Sequence, residues 1–400
     1  DPVRAAHALA ERGRAAGILG PTTELVVGGA TLSRAGLDAL GAQLAVIARL
    51  LCELPARIAG DLETAARALG QPEADAAVLA EFREPLDPAS LMRADLVRHA
   101  GRWRLLELNC GSTVGGMTEA ALPRLVGLAP ADGDDVLARW RRWVAARVAG
   151  AGAVVEDEAA LPSIRGILEA MAGELARELG APVPVLGHHA VRDPSHLRWL
   201  YRLFDLADLH RDPAGYAPLR AAVAAGALRC PLGPAYRLVG SKAALAALWT
   251  LHDQRALAAD EAAAVEALLP RTTRLGPELR AEVVERRDEL VLKPADGYGG
   301  RGVAIGRGVA AAAWRDLVDQ ALAAPEPWVV QDYAHPETLA LGFARPDGTL
   351  VEAPARPLWG VYLLDGQAAG ALVRAVSIAN GAAVINVARG AAIGPVELAP

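Results

Sequence analysis

Residues 288–306 read DELVLKPADGYGGRGVAIG: a short apolar run ending at Lys293, a glycine-rich loop, and a second apolar run. Two strands joined by a flexible loop, with a cation at its entrance, narrow the fold more than anything else in the chain. The loop contains the GxGxxG spacing at Gly297, Gly299 and Gly302, which is a weak signal alone. A dinucleotide-binding fold needs that loop to open a helix, whereas here a strand follows. A protein kinase carries its lysine after the glycines, and Lys293 precedes them. No GxxxxGK(S/T) occurs, so a P-loop enzyme is excluded. A lid of backbone N–H groups closing over phosphates remains, beside the plainer alternative of a glycine-rich turn.

The cations sharpen this. Of 41 basic residues two are lysine, Lys242 and Lys293, and the chain has three asparagines, Asn109, Asn380 and Asn386. A chain that writes Arg wherever either cation serves keeps Lys where a compact point charge is needed and the guanidinium fork does not fit. Lys242, in GSKAAL, falls in the first turn of a helix, where the dipole disfavours a cation unless an anion lies nearby. Two lysines aimed at one polyphosphate would explain both positions.

A second constellation lies in LMRADLVRH and WRLLELN, two extended runs joined by Ala100-Gly101-Arg102, read as a hairpin with a three-residue loop. Pairing His99 with Trp103 sets Asp95 across from Glu107 and Arg93 across from Asn109, all on one face. Like charges directly opposite destabilise a bare sheet, and a hard cation such as Mg²⁺, which accepts carboxylates and phosphates, removes the conflict. The alternative is a solvated face with an Arg–Asp pair.

The rest of the chain places these motifs. Four hundred residues at 52% hydrophobic and 22% charged imply two or three packed units. Residues 1–84 carry a helical period (Leu37, Leu40, Leu44, Ile47, Leu51, Leu54) and read as scaffold. Residues 85–150 hold the hairpin and a helix, and 151–235 a βαβ unit with strands at 152–157 and 182–187. Residues 236–330 hold both lysines and the glycine loop, and 331–400 alternate β-branched runs with turns, as a sheet does. A net charge of −6 gives no footprint for nucleic acid, and no apolar run is read as approaching the roughly 20 residues of a membrane span. Without a signal-peptide pattern, and with three scattered cysteines (Cys52, Cys110, Cys230) expected as free thiols, the expectation is a cytoplasmic protein. His188, His189, His196 and His210 match no metal motif, Arg139 to Trp143 read as a packed helix with a basic outer side, and Cys110 reads as a bystander.

Taken in order, Arg93-x-Asp95, Glu107-x-Asn109 in LLELNCG, GSKAALAALW, LVLKPADGYGGRGV and WVVQDY resemble the circularly permuted ATP-grasp enzymes, the group that includes the synthetase domain of glutathionylspermidine synthase. The metal motif precedes both lysines, which is the permuted order, and the resemblance spans about residues 90–390. It implies an α/β fold of α+β lobes, an ATP-grasp core with a Rossmann-like βαβ domain before it and a helical N-terminal region. It further implies Mg²⁺ on Asp95, Glu107 and Asn109, and ATP phosphates on Lys242 and Lys293. Gly297, Gly299, Gly300 and Gly302 would close over the triphosphate, and Gln331, Asp332 and Tyr333 would line the adenine hinge, Asp332 standing where many members have Glu. Arg93 would sit on the transferring phosphoryl group, and Arg374, in ALVRAVS, would be a substrate or phosphate ligand.

The implied activity is ATP-dependent ligation of a small carboxylate, an amino acid or peptide, to an amine through an acyl phosphate. Phosphoryl transfer asks for charge neutralisation and alignment, which these residues supply. Transfer to a thiol on the same fold, or a nucleotide-binding subunit without turnover, are the alternatives. The loop Cys110 to Gly116 is a candidate wall for the acceptor, or a plain turn. A homodimer is the default assembly.

Overall fold

The alternating apolar residues of 92–110 and 350–377 build one face of a central seven-stranded sheet. In this computed structural model, which describes residues 8, 11–14, 22–82, 85–114, 117, 119–125, 133–297, 299–381 and 384–399, the strands run in the order Leu339–Ala344, Leu25–Gly28, Ala392–Pro395, Gln367–Ser377, Leu350–Leu364, Met92–His99, Arg102–Cys110. All neighbours are antiparallel except Leu25–Gly28 with Ala392–Pro395. The 15-residue strand Leu350–Leu364 pairs along its first part with Leu339–Ala344 and along its last with Met92–His99. Tyr298, Gly115 and Gly116 of the motifs above lie outside the described residues.

Helix Arg34–Ile58 covers this sheet. Ser33 caps it, accepting from the Gly36 amide, and Leu37, Leu40, Leu44, Ile47, Leu51 and Leu54 are all buried, as their spacing predicts. Each such leucine stabilises the fold by about 1.5–3 kcal/mol. At Gly41 a Cβ would stand 2.8 Å from the Ala368 Cβ, so a larger residue there would lift the helix off strand Gln367–Ser377. By length and composition this helix is apolar enough to cross a membrane, with a mean hydropathy of 1.5 over its best window, which corrects the expectation that no apolar run reaches that size. Here it packs as a core helix.

The N-terminal region is not helical throughout. Leu25–Gly28 is an inner strand of the central sheet, and Thr31–Ser33 pairs with Glu397–Ala399. Four residues are too few for a periodic signal, and their order comes from partners at the far end of the chain.

Two smaller sheets complete the architecture. Gly152–Glu156 is the centre of a parallel three-stranded sheet between Val185–Gly187 and Trp199–Arg202, with helix Leu161–Leu179 as the first crossover. A four-stranded antiparallel sheet runs Ala304–Ile305, Leu290–Pro294, Trp328–Asp332, Thr272–Arg274. Its strand Trp328–Asp332 runs across position 330, where the sequence suggested a boundary. The glycine loop joins two adjacent antiparallel strands of this sheet and opens no helix.

Candidate active site

The hairpin places its acidic pair as expected, by a route the sequence did not suggest. The turn has two central residues, Ala100 (φ 49°) and Gly101 (φ 75°), so His99 pairs with Arg102 instead of Trp103. A register shift between Asp95 and Leu96 adds one residue on the second strand, and beyond it Asp95 faces Glu107 and Arg93 faces Asn109.

Asp95 is 1% exposed and accepts from Arg93 Nε at 2.8 Å, Arg93 Nη2 at 3.1 Å and Asn109 Nδ2 at 3.1 Å, while Arg374 Nη2 stands 2.7 Å from its Oδ1. Burial alone would raise its carboxyl, but Arg374 and Arg93 outweigh that and hold it well below the usual carboxylate range. Gly360, paired with Asp95, leaves room for this arrangement, since a Cβ there would stand 3.0 Å from Arg93 Cδ. Arg374 is buried as well, and its Nε and Nη2 have no hydrogen-bond partner despite the ion contact.

The lysines meet Asp95's hairpin from the other lobe. Lys293 lies on strand Leu290–Pro294 and donates to Gln331 Oε1 at 2.6 Å and to the Leu106 carbonyl at 3.4 Å. Gln331 in turn donates to Thr272 Oγ1 at 2.9 Å, which fixes its oxygen toward the lysine. Burial, with Lys242 nearby, lowers the Lys293 ammonium to about 8, against the pull of Glu107 and Asp95. Lys242 opens helix Lys242–Asp253 behind its N-cap Ser241, and its Nζ reaches Glu107 Oε2 at 3.2 Å and the Gly297 carbonyl at 3.3 Å. The anion its position called for is thus Glu107.

Asp95, Glu107, Lys242, Lys293, Gly300, Gln331, Asp332, Tyr333 and Arg374 line one cleft of about 110 Å³, whose other walls are apolar apart from Asn386, with Val97, Val291 and Ile305 among them. Arg93, Asn109 and Gly299 line the adjoining cleft, and Gly297 a small recess beside Lys242. Gly302 (φ 70°) packs on Pro294, where a Cβ would approach Cγ to 2.6 Å. The Asp332 carboxylate accepts from Arg286 at 3.2 Å, and the Tyr333 ring lies under Arg307 and against His335. Glu107 is more open than Asp95, at 32% side-chain exposure against 1%. Two carboxylates and a carboxamide on one face match the hard-oxygen preference of Mg²⁺.

Sequence reasoning missed Thr272, Asn386 and a group of acids in the adjoining cleft, Glu119, Glu156, Asp205 and Asp208. Asn386 lines both clefts, and the scarcity argument applied to lysine would have marked it. His188 and His189 share Asp212 at 3.0 and 2.6 Å, and among the described residues these three bring their ligand atoms within 4.8 Å of one another. Because His188 Nδ1 accepts from the Glu158 amide, its Nε2 carries the proton and donates to Asp212, so it offers no lone pair to a metal.

Neither a family profile nor a curated protein matches the sequence. In fold the chain is similar to a glutathione synthetase-like effector of Globodera pallida, solved in its apo form, with a TM-score of 0.61 at 11% identity, covering 100% of this chain and 98% of that one. Weaker likenesses are to a D-cycloserine synthetase (TM-score 0.31, 22% identity, 46% of this chain and 59% of that one) and to a putative gamma-glutamylcysteine synthetase from Methylobacillus flagellatus KT (0.40, 13%, 89% and 85%). The chain therefore has a mixed α/β fold shared over its whole length with the Globodera effector.

Proposed function

We propose that this chain is an ATP-grasp ligase with its motifs in circularly permuted order, joining a small carboxylate to an amine while ATP becomes ADP and phosphate. One observation carries the reading. Arg374 meets Asp95 in the cleft that holds Lys242 and Lys293, and its buried guanidinium keeps two nitrogens without a hydrogen-bond partner. Asp95 balances its charge, but a buried guanidinium N–H without an acceptor is costly, and a phosphoryl group offers the oxygens that would complete it.

In this reading Lys242 and Lys293 neutralise the nucleotide phosphates, and the apolar walls around Val291 and Ile305 receive the base. Arg93, bidentate on Asp95, fixes that carboxylate, and Arg374 holds the phosphoryl group in transfer. Asp95, Glu107 and Asn109 are the residues that would hold Mg²⁺. Held there, the metal would supply charge neutralisation for the phosphates. The substrate carboxylate attacks the terminal phosphorus, giving an acyl phosphate and ADP; an amine then attacks the carbonyl carbon and phosphate leaves.

Incubating the chain with Mg·ATP and hydroxylamine across amino acids and small peptides tests this. ADP and a hydroxamate are expected with at least one acid, and both are lost in Lys293→Ala and Asp95→Asn. Bound Mg·ATP with no ADP release across the panel would leave a nucleotide-binding subunit instead, and product mass separates an amide from a thioester.

A further inference from the structure

The turn between helices Leu62–Ala68 and Glu73–Glu81 reaches the root of the glycine loop. Gln71, in that turn, is 5% exposed. Its Nε2 donates to Asp296 Oδ2, its Oε1 accepts from Arg237 Nε at 3.3 Å, and Arg237 Nη2 stands 3.9 Å from the same Asp296 oxygen. Asp296 follows the strand that carries Lys293 and precedes Gly297, whose carbonyl accepts from Lys242 Nζ at 3.3 Å. Gln71 thus touches the chain where the loop leaves the sheet, beside both lysines.

The turn is shaped for that reach. Gly70 (φ 86°) leaves no room for a Cβ, which would stand 2.9 Å from Arg274 Nη2 and 3.1 Å from Pro327 Cγ, and Arg274 Nη1 donates to the Ala68 carbonyl at 3.2 Å. The Gln71 amide donates to the Ala66 carbonyl at 2.9 Å, which closes the preceding helix. The next helix is tied elsewhere: Asp75 meets His210 Nε2 at 2.6 Å and Glu81 accepts from Arg220 Nε at 2.7 Å, both on helices that follow the parallel sheet. A segment expected as scaffold therefore joins the parallel-sheet lobe to the glycine loop.

A carboxylate only accepts and a guanidinium only donates, so a neutral side chain set between Asp296 and Arg237 must do both, as a carboxamide does. Gly299, Gly300 and Gly302 hold φ 67°, 71° and 70°, and glycines lose more conformational freedom on ordering than other residues. Fixing the loop's root removes part of that cost before a nucleotide arrives. We propose that Gln71 is a positioning residue of the glycine loop, holding Asp296 beside Arg237 so that the loop's amides stand over the phosphate site of the ligase proposed above. The inference rests on that reading.

Trypsin cleavage after Arg301, exposed on the loop, reads the anchor in the full chain without nucleotide, the cut being identified by mass spectrometry. Gln71→Glu keeps the side chain's size and its acceptor for Arg237 but sets a second carboxylate against Asp296, and is expected to speed this cut about tenfold or more. Adding Asp296→Asn restores a donor and an acceptor with their direction reversed, and should return the rate to within about threefold of the parent. Equal cleavage in parent and Gln71→Glu, or no recovery in the double variant, overturns the anchor. Fluorescence titration with Mg²⁺ and N-methylanthraniloyl-ATP reads the consequence: the dissociation constant rises about tenfold or more in Gln71→Glu and recovers in the double variant. Faster cleavage with unchanged nucleotide affinity overturns the positioning role. The expected cleavage pattern in a parent chain that binds no nucleotide keeps the anchor and removes the ligase reading. If circular dichroism shows Gln71→Glu unfolded, Gln71→Met removes both bonds without burying a charge, and the same faster cleavage and weaker binding are expected of it; neither effect in that variant overturns the proposal.

Discussion

The backbone amide of Lys242 donates to the carbonyl of Ala295 at 2.9 Å, so the start of one helix and the end of the strand bearing Lys293 form one joint. The two lysines, 5% and 6% exposed, are held as a pair. Lys242→Arg and Lys293→Arg are each expected to reduce ADP release about a hundredfold, because the broader guanidinium does not fit these buried positions. Steady-state ADP assays check this, with circular dichroism to establish folding.

Nucleotide affinity should fall as pH rises through about 8, the value to which burial lowers Lys293. The sign follows from charge: the phosphates bind the protonated ammonium, which is complete well below 8 and vanishes above it. Nucleotide titrations at pH 6.5, 7.5 and 8.5 should show a steep loss at the highest pH that Lys293→Met does not show.

Removing Arg374 leaves Asp95 buried with Arg93 as its one guanidinium partner from the contacts described above. Arg374→Gln is expected to lower stability by about 1–3 kcal/mol in urea unfolding and to reduce ADP release more than a hundredfold. Substitution of a merely structural arginine would move the first quantity alone.

Glu156 gives a pH signature in stability. Its carboxyl titrates near 7 in the fold, above the 4.5 of an ordinary glutamate, so its favourable contribution is complete below about 4.5 and is lost as pH rises through 7. Relative to the parent, Glu156→Gln should be equally stable at pH 4 and more stable by about 1–2 kcal/mol at pH 8, after allowance for solvent screening. Urea midpoints at the two pH values measure it.

Gly302 holds φ 70° with no space for a Cβ beside Pro294. Gly302→Ala is expected to cost about 1–2 kcal/mol and to raise the KM for ATP, because it displaces the residue next to Lys293. A thermal melt with steady-state kinetics reads both effects.

How much of this was legible beforehand differs from element to element. The leucine stripe of helix Arg34–Ile58 was, since burial of one face imposes its own period. The Asp95–Glu107 pairing was also legible, but two misread details cancelled: Ala100 in a left-handed turn shortens the loop by one residue, and the bulge after Asp95 restores it. That bulge goes with the Leu106 carbonyl reaching Lys293, a contact no alternation rule contains. Leu25–Gly28 was hidden because its order is supplied by Ala344 and Ile393. The acids of the adjoining cleft were hidden for a related reason, as Glu119, Glu156, Asp205 and Asp208 come from separate elements and no local spacing links them.

The pairing of Leu25–Gly28 with Leu339–Ala344 and Ala392–Pro395 also bears on biosynthesis. A ribosome making this chain releases the Asp95 hairpin long before the strand carrying Arg374, so the hairpin's buried carboxylate must wait for its second guanidinium. Joining strands so distant along the chain is slow, and until it happens one edge of the nascent sheet stays open to unwanted pairing with other chains. Truncation before residue 392 would make that delay permanent, leaving Leu25–Gly28 without one of its two neighbours.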